Sequence, residues 1–199
     1  MFHTLHLLGL TRKLPILKTP SGIYIAGFNP VGDTELLMRS GETLANLVKS
    51  SSVKADVVLT TELKGVPIAQ EVARALKLDY VALRKDAKCY MLNPHQTNGS
   101  SITSGKTNYF ISEPDLGKLK GKNVLFVDDV FSTGSTFKSM LGFAEKENFN
   151  IVAGLSILKE GGEANLSFKF NNVPIFSCGY LPLPKVQEIS NENKGELYE

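Results

Sequence analysis

The sequence predicts an α/β fold in which helices flank a parallel β-sheet. Three short apolar segments rich in β-branched residues, at 55–61, 123–129 and 151–158, have the length and composition of buried strands. After the first two of them, apolar residues recur three or four positions apart, which is the spacing of one helix face. Strands that alternate with helices in this way favour a parallel sheet with right-handed crossovers.

The N-terminal half begins with short strands and turns in the first ~30 residues, for instance LPILKT and GIYIAGF. A first helix is predicted over 34–48. The strand ADVVLTT at 55–61 precedes a second helix, and DYVALRK at 79–85 is a further strand. The residues predicted to face inward on these two helices are Leu37, Leu44, Val48, Val66, Ala69, Ala73 and Leu76.

In the C-terminal half, NVLFVDD at 123–129 and IVAGLSIL at 151–158 are predicted strands with a helix between them. Residues 90–111 interrupt the alternation because they are polar and rich in Asn, Ser, Thr and Gly. This composition predicts a mobile functional loop that is partly a hairpin. The charged residues from about Ser190 predict a frayed tail. The inward face of the helix is marked by Phe137, Met140, Leu141 and Ala144.

The totals favour one domain over residues 1–199, since 199 residues can bury a sizeable core. With 42% hydrophobic and 21% charged residues, the composition is typical of a soluble globular protein. The formal charge of +2 gives no indication of a nucleic-acid or membrane surface. No apolar run reaches ~18 residues, and the N-terminus lacks the pattern of a secretion signal. Cys89 and Cys178 are far apart and indicate two reduced thiols, as in a cytoplasmic protein. Because the charge is nearly balanced and no long apolar run is present, we expect no nucleic-acid or membrane partner.

The stretch VLFVDDVFSTGSTF, at 124–137, combines an apolar strand, two aspartates and a loop of small residues. In a parallel sheet, ligands bind beyond the carboxyl ends of the strands, where this loop is expected. The first backbone N–H groups of the following helix lack acceptors within it, and the helix dipole favours an anion there. A glycine allows close backbone approach, and hydroxyl groups add donors. We therefore name a predicted phosphate-binding loop, which consists of Ser132, Thr133, Gly134, Ser135 and Thr136.

Asp128 and Asp129, called the acid pair below, cannot assist a phosphate because like charges repel. Carboxylates can instead accept hydrogen bonds from sugar hydroxyls, or hold a Mg²⁺ ion that the sugar also ligates. A ribose 5-phosphate carries a phosphate and a pair of hydroxyls in one molecule, so it matches both features. The structural alternative is that the acids only cap the following turn and the loop hydroxyls are solvated.

A second stretch, GSSITSGKT at 99–107, offers a rival phosphate site because it ends like a nucleotide-binding P-loop. A P-loop needs a glycine five positions before the Gly of Gly-Lys-Thr, and that position is Ser100. No apolar strand precedes it, and residues 107–111 look like a strand rather than a helix. We therefore interpret it as a polar loop that returns into a strand, which argues against an ATPase or kinase.

Residues 124–136 resemble the phosphoribosyl pyrophosphate signature of type I phosphoribosyltransferases. TELKGVPIAQEVARAL, at 61–76, is similar to the pyrophosphate-binding loop of the purine members. LRKDAKCYM, at 83–91, is similar to the Arg-Lys-x-x-Lys stretch of the adenine, xanthine and purine-repressor branch. The three matches occur in the family's order and cover most of residues 30–160. The resemblance implies a Rossmann-like parallel sheet with flanking helices, a flexible active-site loop and a small hood.

The resemblance also implies roles for individual residues. The acid pair would bind the ribose hydroxyls, the phosphate-binding loop the 5-phosphate, and residues 90–111 would close over the site. Arg84 and Lys88, with the acid pair, are the catalytic candidates, and the cations could serve a neighbouring subunit's site. Their alternative is ordinary surface charge. The implied pyrophosphate-binding residues are Glu62, Leu63, Lys64, Gly65, Arg84, Lys85 and Lys88.

The purine base would meet a hood built from residues 1–29 and 160–190 around a core of about 30–160, as the resemblance implies. Phe28, Asn29 and Lys159 lie where the xanthine-specific relatives place base-contacting residues, and Phe28 or Phe131 could stack on a purine. The alternatives are that Asn29 begins a turn with Pro30 and that Lys159 belongs to a solvated loop. Adenine is the first choice of base and xanthine the second.

The implied activity is that of a purine phosphoribosyltransferase of purine salvage, with Mg²⁺ bound through the substrate and a homodimer expected. It makes a nucleoside 5'-monophosphate and pyrophosphate from a base and phosphoribosyl pyrophosphate. One alternative is a non-catalytic regulator that senses phosphoribosyl pyrophosphate. A DNA-binding repressor is not expected, because only ~30 residues precede the first helix. Another alternative is a phosphohydrolase with Asp128 as nucleophile.

Overall fold

The computed structural model describes the backbone of residues 1–19, 22–101 and 105–184, and their side chains except those of 98–101 and 105–107. The first elements are β1 (Phe2–Leu7), β2 (Leu10–Lys18), β3 (Tyr24–Ala26), α1 (Thr34–Ser50), β4 (Val57–Thr61), α2 (Gly65–Leu76) and β5 (Asp79–Leu83). The following elements are β6 (His95–Ser101), β7 (Gly105–Ile111), α3 (Glu113–Gly117), β8 (Asn123–Phe131), α4 (Ser135–Glu147), β9 (Asn150–Glu160), β10 (Ser167–Phe170) and β11 (Val173–Leu181).

The predicted parallel sheet is present as six strands in the order β10-β11-β9-β8-β4-β5. The pairs β11–β9, β9–β8, β8–β4 and β4–β5 are parallel, and β10 pairs antiparallel with β11. The strands predicted at 55–61, 79–85, 123–129 and 151–158 correspond to β4, β5, β8 and β9. The predicted α/β fold class is therefore confirmed.

The segment 160–190, which we expected in the hood, instead continues the central sheet as far as it is described. Within it, β11 pairs with β9 from Ile175↔Gly154 to Leu181↔Glu160. The pairing covers an edge of β9 that would otherwise leave backbone groups unpaired. Residues 185–190, and the tail predicted to be frayed from Ser190, lie outside the described residues.

Helices cover both faces of the sheet. Successive side chains of a strand point to opposite sides, so a strand that is apolar throughout must be covered on both. Along β8, Leu125 and Val127 pack with α1 and α2, whereas Val124 and Phe126 pack with α4. The residues predicted to face inward on the helices are buried, except that Val66, Leu76 and Leu141 are half-buried. The helix positions and their buried faces are therefore confirmed.

The N-terminal strands form a separate antiparallel sheet in the order β1-β2-β3. The predicted segments LPILKT and GIYIAGF lie in and around β2 and β3, while β1 was not predicted. Arg12 joins this sheet to α1, since its Nε donates to Asp33 at 2.6 Å. Asp33 in turn caps α1 by accepting from the Leu36 N–H at 3.2 Å.

Residues 90–111 contain the antiparallel hairpin β6–β7, in agreement with the expected partial hairpin. Beside β7, the N–H of Arg84 donates to Phe110 at 2.9 Å, and the N–H of Phe110 donates to Arg84 at 2.7 Å. His95 Nδ1 lies 3.6 Å from a carboxylate oxygen of Glu147 on α4. The base of the hairpin is thus fixed to the sheet edge and to α4.

None of the described helices is long and apolar enough to cross a membrane.

Candidate active site

A cavity of about 140 Å³, the first cavity below, lies where β8 leads into α4. Its lining includes Asp128, Asp129, all residues of the phosphate-binding loop, and Glu160. Strand β8 continues to Phe131, two residues beyond its predicted end, and the acid pair lies within the last part of the strand as predicted. The structure therefore brings the predicted sugar-binding and phosphate-binding residues to one cavity at the carboxyl end of the sheet.

The phosphate-binding loop turns into α4 at Gly134, whose φ of +76° is in the left-handed region. A Cβ at Gly134 would lie 2.6 Å from a ring carbon of Phe170 and 2.9 Å from one of Phe131. The Thr133 hydroxyl accepts from the Ser135 N–H at 3.4 Å and braces the turn. The first turn of α4 contains no acidic residue, so the positive end of the helix dipole is available to an anion.

Asp128 carries the most perturbed carboxyl group at the site. Burial raises its pKa well above the ordinary value, and the neighbouring Asp129 carboxylate raises it further. Its Oδ1 accepts from the Asp129 N–H at 2.9 Å, which opposes that rise, as does the charge of Lys64. A ligand that donates hydrogen bonds to this carboxylate, as a sugar hydroxyl does, would relieve the cost of placing two acids side by side.

Lys64 is a predicted pyrophosphate-binding residue that contacts the acid pair. Its Nζ lies 3.1 Å from Asp129 Oδ2 and donates to the carbonyl of Phe28 at 2.9 Å. The next residue, Gly65, opens α2, and a Cβ there would lie 2.3 Å from Thr60 Oγ1 and 3.3 Å from Asp128 Oδ1. The missing side chain of Gly65 therefore allows α2 to begin directly against the acid pair.

Of the other predicted pyrophosphate residues, Arg84 and Lys85 contact Glu62 and form a second group with it. Arg84 Nε lies 3.3 Å from the Glu62 carboxylate, which also accepts from the Lys85 N–H at 3.1 Å. The side chain of Lys85 is exposed, and Lys88 pairs with Asp86 at 3.5 Å. Leu63 is 61% exposed, and its peptide bond with Glu62 is cis. Among the described residues, no ion pair joins this second group to the acid pair.

A larger and mainly apolar cavity of about 410 Å³, the second cavity below, adjoins the first. Phe131 lines both cavities and packs edge-to-face against Phe168 and Phe170, with ring centroids 5.3 and 5.6 Å apart. Lys159 also lines the second cavity, and its Nζ lies 5.2 Å from the Phe168 ring centroid and donates to the Gly161 carbonyl at 3.2 Å. A mainly apolar cavity of this volume with aromatic side chains in its wall can accommodate a flat aromatic ligand.

Phe28 and Asn29, two of the residues predicted to contact the base, lie elsewhere. Phe28 is only 6% exposed and packs in the core beneath α1 and α2, and neither residue is among those lining the two cavities. The Asn29 side chain accepts from the Val31 N–H at 3.3 Å, as expected for the alternative in which it forms a turn. Phe28 contributes to the site through its backbone carbonyl, which accepts a hydrogen bond from Lys64 Nζ.

Sequence reasoning missed two residues beside the acid pair. Glu160, the last residue of β9, lines both cavities and accepts a hydrogen bond from Ser132. Burial raises its pKa. Tyr109 on β7 is buried, its hydroxyl bonds to Thr61, and burial together with the charge of Asp128 raises its pKa. The strand patterns at 107–111 and 151–158 placed both residues on or next to strands, but only the folded sheet brings them to the acid pair.

Comparison with protein families matches residues 33–170 to the phosphoribosyl transferase domain. The purine biosynthesis transcriptional repressor PurR of Bacillus subtilis is 31% identical over 160 residues, which are 77% of this chain and 52% of that protein. The hypoxanthine/guanine phosphoribosyltransferase of Methanothermococcus okinawensis is 31% identical over 154 residues, 75% of this chain and 79% of that protein. The chain thus spans about half the length of PurR.

Solved structures with the same fold include adenine phosphoribosyltransferases. The enzyme from Thermoanaerobacter pseudethanolicus has a TM-score of 0.64 at 18% identity, covering 84% of this chain and 95% of that chain. The enzyme from Rhodothermus marinus has a TM-score of 0.57 at 18% identity, covering 90% of this chain and 94% of that chain. At these identities the likeness establishes the type I phosphoribosyltransferase fold.

Proposed function

Because this chain belongs to the phosphoribosyltransferase family, we propose that it transfers the 5-phosphoribosyl group of phosphoribosyl pyrophosphate to a purine base, with adenine favoured. The products would be a nucleoside 5'-monophosphate and pyrophosphate, as in purine salvage. We propose a cytoplasmic homodimer as the working form, an expectation that rests on the family resemblance.

The observation that carries this proposal is the content of the first cavity. An α4 N-terminus without acidic side chains and the hydroxyls of the phosphate-binding loop line the same 140 Å³ space as Asp128 and Asp129. The helix end suits the 5-phosphate, and the carboxylates suit the ribose hydroxyls. When pyrophosphate leaves, positive charge develops on the sugar as in glycoside cleavage, and the nearby carboxylates stabilise that charge.

The departing pyrophosphate needs positive charge, for which Lys64, Arg84 and Lys88 are the candidates. Each of them is paired with a carboxylate, of Asp129, Glu62 or Asp86 respectively. All three pairs are partly exposed, so their net contribution to stability is small and the cations can exchange partners at little cost. We propose that pyrophosphate takes over one or more of these cations when it binds.

Mg²⁺ is the expected cofactor, and the donor set fits an ion that arrives with the substrate. Among the described residues, no group of three or more His, Cys, Asp or Glu side chains is placed to hold a metal ion by itself. The acid pair nevertheless places carboxyl oxygens in the first cavity, and such oxygens are the ligands that Mg²⁺ prefers. When bound, Mg²⁺ would neutralise charge on the leaving pyrophosphate.

The identity of the base depends on the second cavity. Its aromatic wall suits any purine, and adenine remains the first choice from the sequence resemblance. A second candidate, a 6-oxopurine such as xanthine, hypoxanthine or guanine, is favoured by Lys159, because an ammonium group donates to a carbonyl oxygen but not to an amino group. The relative from Methanothermococcus okinawensis, named for hypoxanthine and guanine, points in the same direction.

A regulator that senses phosphoribosyl pyrophosphate is the candidate from another functional class. It is favoured by the relatives named PurR, which are 30–33% identical over 70–77% of this chain. Such a protein would use the same first cavity for binding but would form no nucleotide with any base.

One assay separates these functions. The protein is incubated with Mg²⁺, phosphoribosyl pyrophosphate and, in turn, adenine, hypoxanthine, guanine, xanthine, orotate or uracil, and nucleotide is quantified. We expect product with a purine, adenine first. Binding of phosphoribosyl pyrophosphate without turnover of any base would identify a sensor, and phosphate release from simple phosphate esters would identify a phosphohydrolase. Either result would contradict the transferase.

A further inference from the structure

The two cavities share one wall. Ile25, Phe131, Ser132, Thr133 and Glu160 line both of them. Three of these are on β8 or the phosphate-binding loop, Ile25 is on β3, and Glu160 ends β9. If the first cavity receives the phosphosugar and the second the base, as the proposed function requires, the bond between sugar and base forms at this wall.

Of the described residues on the shared wall, Glu160 alone has a carboxyl side chain. Its carboxylate is held by a hydrogen bond from the Ser132 hydroxyl, which leaves acceptor positions on a group with about four lone-pair sites. Ile25 and Phe131 offer no side-chain acceptor. The shared wall therefore places one carboxylate, that of Glu160, beside the atoms that would react. The other side chains of this wall are apolar or carry a hydroxyl group.

The charges around Glu160 come from three neighbouring elements. Burial has the largest effect on its pKa and raises it, Asp129 on β8 raises it further, and Lys64 at the start of α2 lowers it. Lys159, the preceding residue on β9, directs its ammonium to backbone carbonyls of Gly161 and Glu163 instead. A carboxyl group with a raised pKa is a stronger base than an ordinary one, which suits proton transfer near neutral pH.

We propose that Glu160 is the catalytic residue that accepts the proton of the purine ring nitrogen as that nitrogen attacks the sugar. The nitrogen lone pair forms the bond to C1 of the ribose, and the bond from C1 to the pyrophosphate oxygen breaks with its electron pair going to pyrophosphate. The proton on the imidazole-ring nitrogen moves to the Glu160 carboxylate and is released to solvent after the products leave. This inference rests on the proposed transferase function.

The test compares Glu160→Gln with Glu163→Gln, an exposed acid on the adjoining loop whose side chain lines neither cavity. We expect Glu160→Gln to lower kcat about 100-fold or more while the KM for phosphoribosyl pyrophosphate changes less than about twofold. Glu160→Asp should recover part of the loss, and Glu163→Gln should match the unaltered protein. Far-UV circular dichroism of each variant verifies its fold.

A pH series supplies a readout that a purely structural role would not affect. The rate of Glu160→Gln should rise as the pH reaches the range where the purine's own ring N–H dissociates, because the anionic base needs no acceptor. A folded Glu160→Gln variant with kcat within about twofold of the unaltered protein would overturn the role of Glu160 while leaving the transferase intact. If the unaltered protein turns over no base, both the role and the proposed function fail.

Discussion

Replacing Gly134 by alanine should damage the phosphate-binding loop more than any other part of the protein. An alanine at φ +76° costs about 1–2 kcal/mol because its Cβ crowds the backbone. The same Cβ would lie 2.6 Å from Phe170 and 2.9 Å from Phe131, and such overpacking typically costs about 1–3 kcal/mol. The sum is about 2–5 kcal/mol, or a fall in Tm of about 4–20 °C for a domain of this size.

The matched control lies in the same helix. Gly142 is exposed in α4 and does not have a positive φ, and a Cβ added there would meet no other atom within 4 Å. Gly142→Ala should therefore stabilise the protein slightly, by about 0.5–1 kcal/mol, as expected for a glycine in a helix interior.

Thermal unfolding and calorimetric titration with ribose 5-phosphate measure both effects. Gly134→Ala should lower Tm and weaken ribose 5-phosphate binding at least about tenfold, which corresponds to ~1.4 kcal/mol. Gly142→Ala should bind as the unaltered protein does. If Gly134→Ala were as stable as the control and bound the ligand equally well, the close packing of this turn and its role in binding would both be refuted.

Two further predictions concern the acid pair and the cysteines. Asp128→Asn and Asp129→Asn should each lower turnover about tenfold or more without unfolding the protein, because each replaces a carboxyl group that is placed to accept hydrogen bonds from the sugar hydroxyls. Unchanged rates in steady-state assays of both would exclude their assigned role. Burial raises the pKa of Cys178 to about 12, whereas Cys89 is exposed, so iodoacetamide under mildly alkaline conditions should modify the folded protein at Cys89 alone. Mass spectrometry that found Cys178 modified first would contradict its burial.

The sequence predicted most of the central sheet and its helices, because the apolar pattern of each of these elements lies within a short stretch of the chain. The strands β4, β5, β8 and β9 and the helices α1, α2 and α4 have clear strand-like or helical apolar patterns, and each lies within a few residues of its predicted position. Strand β11 was not predicted, because Pro174, Ser177 and Gly179 interrupt the apolar residues of its segment.

The candidate site was predictable where its residues are consecutive. The acid pair and the phosphate-binding loop follow one another on β8 and α4, so a single stretch of sequence specified them. Glu160 is separated from Ser132 by a helix and a strand, and its position at the site depends on the register of β8 with β9, which pairs Phe131 with Lys159. No local pattern carries that register.

Phe28 is a residue whose burial could not be predicted from its place in the sequence. Its position before the first helix suggested a base contact, but α1, α2 and the N-terminal sheet bury its ring. Fully burying a phenylalanine side chain is favourable by about 1.5–3 kcal/mol relative to leaving it exposed. This gain accounts for the place of the Phe28 ring in the core, where the family resemblance had suggested a contact with the base. Its carbonyl still contributes to the site through Lys64.

The most direct test of the account is a crystal structure of the protein soaked with ribose 5-phosphate. We predict density for the phosphate against the backbone of residues 132–136 at the start of α4, with the ribose hydroxyls within hydrogen-bonding distance of Asp128 and Asp129. An empty first cavity at a saturating concentration, or a phosphate bound elsewhere with these carboxylates unoccupied, would contradict it.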